Sequence, residues 1–282
     1  MWEHPSGYHA PVRRAGFLVC WSLVATIPTV ACLPREKRGH PDSEAVGALA
    51  TADDPLGTKT PSHPEASDQP GREGSRGASA RKADPLLAGV FVDGFEREGL
   101  GGDWRATGRG WKLDGGMLCG QGARNHPVWL NRRLPTNARV RFEATSLAPE
   151  GDIKAEYWGD GRSAAAGVSY DDATSYLTIF GGWKNRFHVL ARIDEHAPDR
   201  PEIKVGGAPS ELRARPVEMG RKYSFKVERR DSKTVTWWVD DIEMLKYSDE
   251  DPLQGPGHEY FGFNNWEVRV CFDNLEVTPL GT

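Results

Sequence analysis

The sequence predicts an all-β domain of antiparallel strands, a sandwich or a barrel, behind a long polar leader. Three observations predict it. From about Leu86 to Leu280, short runs alternate apolar and polar residues with a period of two, the mark of strands with one face in a core. Gly, Asp, Asn and Pro separate these runs at roughly ten-residue spacing, as in sandwiches and barrels. No run of about 12 residues carries a 3.6-residue period with caps, so almost no helix is expected.

Composition narrows the class. The chain has 282 residues with Lys plus Arg 36 and Asp plus Glu 40, a formal charge of −4. That balance lacks the basic field of a nucleic-acid binder. Hydrophobic residues make up 38%, yet there are 10 Trp, which points to a polar segment diluting an aromatic-rich domain. One apolar run alone approaches spanning length, which excludes a multispanning membrane protein.

That run opens the chain. Arg13 and Arg14 precede Ala15–Val30, and Thr29-Val30-Ala31-Cys32 follows before charge returns at Arg35. A basic flank, a short apolar stretch and small residues describe a secretory signal over residues 1–31. Small residues before a Cys resemble the bacterial lipobox, with Thr29 where Leu is usual. The resemblance implies that Cys32 is lipidated and anchors the mature chain to a membrane, in the envelope and at the outer membrane. An ordinary signal cut near Ala31 and twin-arginine export through Arg13-Arg14 stay open. All three readings place the chain outside the cytoplasm.

Residues 32–85 read as a disordered tether. From Leu33 to Pro85 there is no aromatic residue, and Pro, Gly, Ala, Ser and Thr dominate. Such a segment cannot bury enough apolar surface to offset its ordering entropy. As a flexible chain it spans roughly 40 Å.

Residues 86–282 form the β domain. All but two of the Trp residues lie there. At this size a domain buries about 70% of its unfolded surface. Alternation assigns faces. Ile153, Ala155 and Tyr157 oppose Lys154, Glu156 and Trp158. Phe187, Val189, Ala191 and Ile193 oppose His188, Leu190 and Arg192. Tyr223, Phe225 and Val227 oppose Ser224, Lys226 and Glu228. Trp104, Trp111 and Trp237 are expected in the core. Trp237–Met244 reads as a hairpin with Asp240-Asp241 in its turn, since both types tolerate positive φ.

The opening Val90-Phe91-Val92-Asp93-Gly94-Phe95, then Asp103-Trp104 and Trp111-Lys112-Leu113-Asp114-Gly115-Gly116, resembles the first strands of bacterial jelly rolls in the concanavalin A-like lectin/glucanase superfamily. Trp237-Trp238-Val239-Asp240-Asp241 is similar to its late hairpin. Phe261-Gly262-Phe263-Asn264-Asn265-Trp266 and Phe272-Asp273-Asn274-Leu275-Glu276-Val277 are similar to its last two strands. Laminin G-like and 3-keto-disaccharide hydrolase-like domains share this frame. The resemblance implies a two-sheet jelly roll and leaves the chemistry to the site. The superfamily's glucanases carry Glu-x-Asp-x-x-Glu on one strand, and no strand here does.

A charged sheet face bearing aromatics is the stronger signal. Saccharides stack apolar ring faces on aromatics while polar groups bond the hydroxyls. Lys154, Glu156, Trp158, His188 and Arg192 supply that mixture, and Trp183 and Trp266 sit in loops where an exposed indole can serve as a platform. These seven are the expected ligand-binding residues, with a core Trp and a structural His as the plain alternatives. No metal centre is expected. Asp160-Gly161 and Asp171-Asp172 offer oxygen donors suited to Ca²⁺, against which stands ordinary turn chemistry. With Cys20 in the leader and Cys32 lipidated, Cys119 and Cys271 remain as a disulfide or as two buried thiols. The expected partner is a carbohydrate or an envelope polymer, bound without catalysis. A glycoside-acting enzyme using Glu156, His188 or Arg192, and an adhesive module without a small ligand, are the alternatives.

Overall fold

The computed structural model describes residues 84–208 and 210–281. The expected signal segment, Cys32 and the tether up to residue 83 lie outside the described residues. What is described is a sandwich of two antiparallel sheets.

The strands in chain order are β1 Phe91–Asp93, β2 Trp104–Ala106, β3 Trp111–Asp114, β4 Met117–Gly120, β5 Val128–Leu130, β6 Ala138–Ser146, β7 Ile153–Gly159, β8 Tyr176–Gly181, β9 Phe187–Arg192, β10 Glu202–Lys204, β11 Lys222–Arg229, β12 Thr234–Val239, β13 Ile242–Ser248, β14 Tyr260–Asn264 and β15 Val270–Pro279. The first sheet runs β13-β12-β11-β6-β15-β4-β3, with β1 added along β15. The second runs β10-β9-β8-β7-β14-β5-β2. Neighbours far apart in sequence, such as β15 between β6 and β4, give the crossed connectivity of a jelly roll.

The alternation read from the sequence builds the core. Val140, Phe142 and Ala144 of β6 and Tyr223, Phe225 and Val227 of β11 face inward and are buried. Ile153, Ala155 and Tyr157 of β7 meet them from the other sheet. Phe142 is the hub: it stacks on Phe225 at 4.8 Å and meets Phe263 edge-on at 5.1 Å. Trp104 and Trp237 are buried, and Trp111 is half-buried with its indole N–H donating to the His126 carbonyl. The β12–β13 hairpin turns at Asp240 (φ 49°) and Asp241 (φ 61°), the left-handed pair that a two-residue turn needs. Cys119 on β4 and Cys271 on β15 stand opposite each other and are joined by a disulfide.

Three sequence expectations are corrected. Trp158 does not share the outer face with Lys154 and Glu156. The register with β14 shifts there, with Tyr157 opposite Phe261 and Gly159 opposite Tyr260, which leaves Trp158 as the extra residue of a bulge at φ 54°. A bulge re-aims its side chain. The Trp158 indole therefore turns into the core beneath the Arg229 guanidinium, 3.9 Å away. The face of β9 is also inverted. His188 and Leu190 point between the sheets, while Phe187, Val189 and Ala191 point outward into a second apolar cluster with Leu177, Ile179, Ala165 and Tyr170. The segment 161–173 covers that outer face. Both faces of β9 thus pack against apolar clusters, and alternation cannot tell inside from outside. Ile193, placed with Phe187 by strict alternation, is turned back against the main core at φ 65°.

Candidate functional site

A cavity of about 460 Å³ opens on the outer side of the second sheet, lined by Lys154 of β7, Ile179 of β8 and five connecting loops. Trp183 reaches it from the β8–β9 connection and Trp266 from the β14–β15 connection. Both indoles are half-buried.

An unusual turn presents Trp183. Trp183, Lys184 and Asn185 follow Gly181 with φ of 52°, 60° and 60°, a full turn of left-handed helix. Each non-glycine residue there costs roughly 1–2 kcal/mol, so tertiary contacts must hold it. Asn185 supplies them: its amide donates to the carbonyls of Pro149 (3.0 Å) and Val217 (2.8 Å), and its carbonyl accepts from the Val217 N–H. A Cβ on Gly181 would lie 2.5 Å from Val217 Cγ2, so the turn also requires glycine at its start. The Arg200 guanidinium stacks on Trp183 at 4.5 Å and fixes the ring.

Trp266 is held in the same manner from the other side of the chain. The Asn265 and Trp266 carbonyls accept from the backbone N–H groups of Asn125 and Arg124. The Arg124 guanidinium lies over the Trp266 ring at 5.2 Å and pairs with Glu267 at 2.9 Å. Each platform thus has an arginine on one face and the cavity beside it.

The floor is ionic. Lys154 is buried; its ammonium donates to Glu195 at 2.7 Å and to Asn125 Oδ1 at 2.8 Å. Burial opposes its charge, yet Glu195 and Asp152 together hold its pKa above the usual lysine range. Asp152 also lines the cavity, and its carboxylate has no hydrogen-bond donor among the described residues. Desolvation, and secondarily the nearby Glu195 and Glu267, raise its pKa against the pull of Lys154.

Glu156 lies beneath this floor rather than in it. It is fully buried and accepts from Ser175 Oγ (2.6 Å), Asn264 Nδ2 (2.7 Å) and Tyr170 OH (3.0 Å). Desolvation outweighs these donors and pushes its pKa up to about 7. His188 accepts the Gly181 N–H on Nδ1 (3.0 Å), so its proton sits on Nε2 and donates to the Arg215 carbonyl (2.9 Å). Arg192 pairs with Asp249 at 2.8 Å and donates to the Asp251 carbonyl. Of the seven expected residues, the cavity gathers Lys154, Trp183 and Trp266. It leaves Glu156 sealed below, and it excludes Trp158, His188 and Arg192, which sit on the core side and the rim for the reasons given above. A catalytic group made of Glu156, His188 and Arg192 is therefore not assembled.

Sequence reasoning missed Asp152, Glu195 and Asn125. Asp152 follows Gly151 in a turn where both have positive φ, 62° and 75°, and a Gly-Asp pair ahead of a strand reads simply as a turn. Asp160 spends its carboxylate on its own loop, accepting from the N–H groups of Arg162 and Ser163 and from Ser163 Oγ. Among the described residues, no three His, Cys, Asp or Glu side chains gather as a metal site.

No family model matches the chain, and no curated protein matches it. Solved structures do. A galectin-like protein of unknown function from Bacillus subtilis aligns at 13% identity over 68% of this chain and 96% of its own, TM-score 0.49. A carbohydrate-binding module, CBM66, also from Bacillus subtilis, aligns at 13% identity over 62% and 95%, TM-score 0.46. The carbohydrate recognition domain of Emp47p aligns at 12% identity over 68% and 95%, TM-score 0.46. At such identities the likeness concerns the fold alone. By its strand order and its two packed antiparallel sheets, the described part of the chain is a two-sheet antiparallel β-sandwich with jelly-roll connectivity.

Proposed function

We propose that this domain binds a saccharide in the groove between Trp183 and Trp266. The observation that carries the reading is two half-buried indoles from separate connections on one cavity of about 460 Å³, each fixed by a stacked arginine. An aromatic wall with a few placed polar groups is the pattern of a small-ligand site. The neighbouring folds include a carbohydrate-binding module and a carbohydrate recognition domain, which fits this reading without carrying it. Trp183→Ala and Trp266→Ala are each expected to weaken binding at least tenfold, about 1.4 kcal/mol, while thermal unfolding stays near that of the wild type. A glycan array followed by calorimetry on the retained sugars measures this. No retained saccharide, or retention unchanged in both variants, overturns the reading.

The same proposal places the groove outside the cytoplasm, on a lipid anchor at Cys32 and a tether. The lipobox-like leader supports this, as does the Cys119–Cys271 disulfide, a bond that persists in oxidising compartments. Labelled palmitate is expected to enter the full chain in a bacterial host and to be lost in Cys32→Ala. Labelling that survives the substitution rejects the anchor.

A further inference from the structure

We propose that the groove selects saccharides carrying a free protonated amine, with Asp152 as the counter-charge. The inference rests on the saccharide reading and goes beyond it by naming the ligand's charge.

Four carboxylates line the cavity, those of Glu150, Asp152, Glu195 and Glu267, against the ammoniums of Lys154 and Lys184. The pairing is unequal. Lys154 already donates to Glu195 and Asn125 at 2.7 and 2.8 Å, which leaves one of its three N–H donors for a ligand. Glu267 is matched by Arg124 at 2.9 Å. Lys184 is exposed at the rim. Glu150 and Asp152 are left, and Asp152 is the one at the floor: a carboxylate with no donor among the described residues, near the ammonium of Lys154 and the like charges of Glu195 and Glu267.

Asp152 is half-buried, and a partly desolvated carboxylate without a protein donor gains from a bound one. A neutral hydroxyl supplies part of that gain. A protonated amine supplies more, because a charge-assisted hydrogen bond is roughly twice as strong as a neutral one and because it relieves the repulsion among the floor carboxylates. A uronic or sialic acid meets the reverse: its carboxylate faces Asp152 and its neighbouring carboxylates, with a single N–H of Lys154 to offset them. The indoles reinforce the choice, since an aromatic face attracts a cation as well as a sugar ring.

Calorimetry on the purified full chain tests this with three probes of equal length: glucosamine oligomers, their N-acetylated counterparts and galacturonate oligomers. At a pH where the amine is protonated, glucosamine oligomers are expected to bind at least tenfold more tightly than the N-acetylated series, and galacturonate not at all. Asp152→Asn is expected to erase that ratio. Asparagine suits the φ of 62° at this position, so the backbone should persist. Independently, the ratio in the wild type is expected to shrink as salt is raised. Equal affinity for both series, or a ratio that survives Asp152→Asn or high salt, overturns the amine selectivity and leaves the saccharide reading standing. Binding of none of the three, together with an empty glycan array, overturns both.

Discussion

Replacing Cys119 and Cys271 together with alanine is expected to lower the unfolding free energy by about 5 kcal/mol, the chain-entropy value for a bridge closing so long a loop. The sequence separation is 152 residues, so about three quarters of the domain lies inside the loop. The bond also carries a local burden. β4 touches β15 through three register pairs only, and β3 is held by β4. The β3–β4 hairpin therefore meets the sheet through few backbone bonds, supported by Leu118 in the core and by Trp111 against Phe272 at 6.2 Å. Urea unfolding with and without reductant separates the contributions. The wild type is expected to lose stability when reduced, and the double variant is expected to match the reduced wild type and ignore reductant. A wild type that unfolds at the same urea concentration after complete reduction removes the bridge from this account.

How far the sequence discloses this molecule differs between its two sheets. In the first sheet, β6 and β11 alternate a charged face toward water with an apolar face inward, and Arg141, Lys226, Phe142 and Phe225 lie where a period of two puts them. One face is dry and the other wet, so the pattern carries a sign. In the second sheet a loop folds over the outer side, and Tyr170 and Ala165 pack on Val189 and Ala191. Period two survives there but its sign is lost, which is why His188 and Arg192 were expected on the wrong side. Trp158 fails for a separate reason: a single bulge residue shifts phase, and nothing in Glu156-Tyr157-Trp158-Gly159 announces it except the glycine. Trp183 and Trp266 are legible because Gly-Gly and Asn-Asn mark the bends that carry them. Asp152, Glu195 and Asn125 become neighbours only through tertiary folding, from positions 41 and 29 residues from Lys154 or beside it, and no local spacing records that.

The buried pair Glu156 and His188 leads to a pH dependence that the wild type should conceal. Glu156 is held near 7, above its ordinary 4.5, because burial disfavours its charge. His188 is held near 4, below its ordinary 6.5, because burial opposes protonation, and Nδ1 already accepts the Gly181 N–H. Between pH 4.5 and 7 the folded chain keeps a proton on Glu156 that the unfolded chain has lost, so this group's contribution falls as pH rises, by about 1.4 kcal/mol per unit. Between pH 4 and 6.5 the unfolded chain holds a proton on His188 that the folded chain refuses, so that contribution rises with pH at the same rate. Over the shared window, pH 4.5 to 6.5, the two slopes cancel. Glu156→Gln keeps the shape of the site, since the Ser175 and Tyr170 hydroxyls can turn to accept from the new amide. It is expected to remove the glutamate's falling contribution: relative to the wild type, stability climbs with pH across that window, by on the order of 3 kcal/mol in all. His188→Gln is expected to uncover the opposite slope, with stability falling toward pH 7. Urea midpoints at half-unit pH steps read both. A Glu156→Gln profile parallel to the wild type's would mean that Glu156 stays ionised in the fold, with Ser175, Tyr170 and Asn264 outweighing its burial.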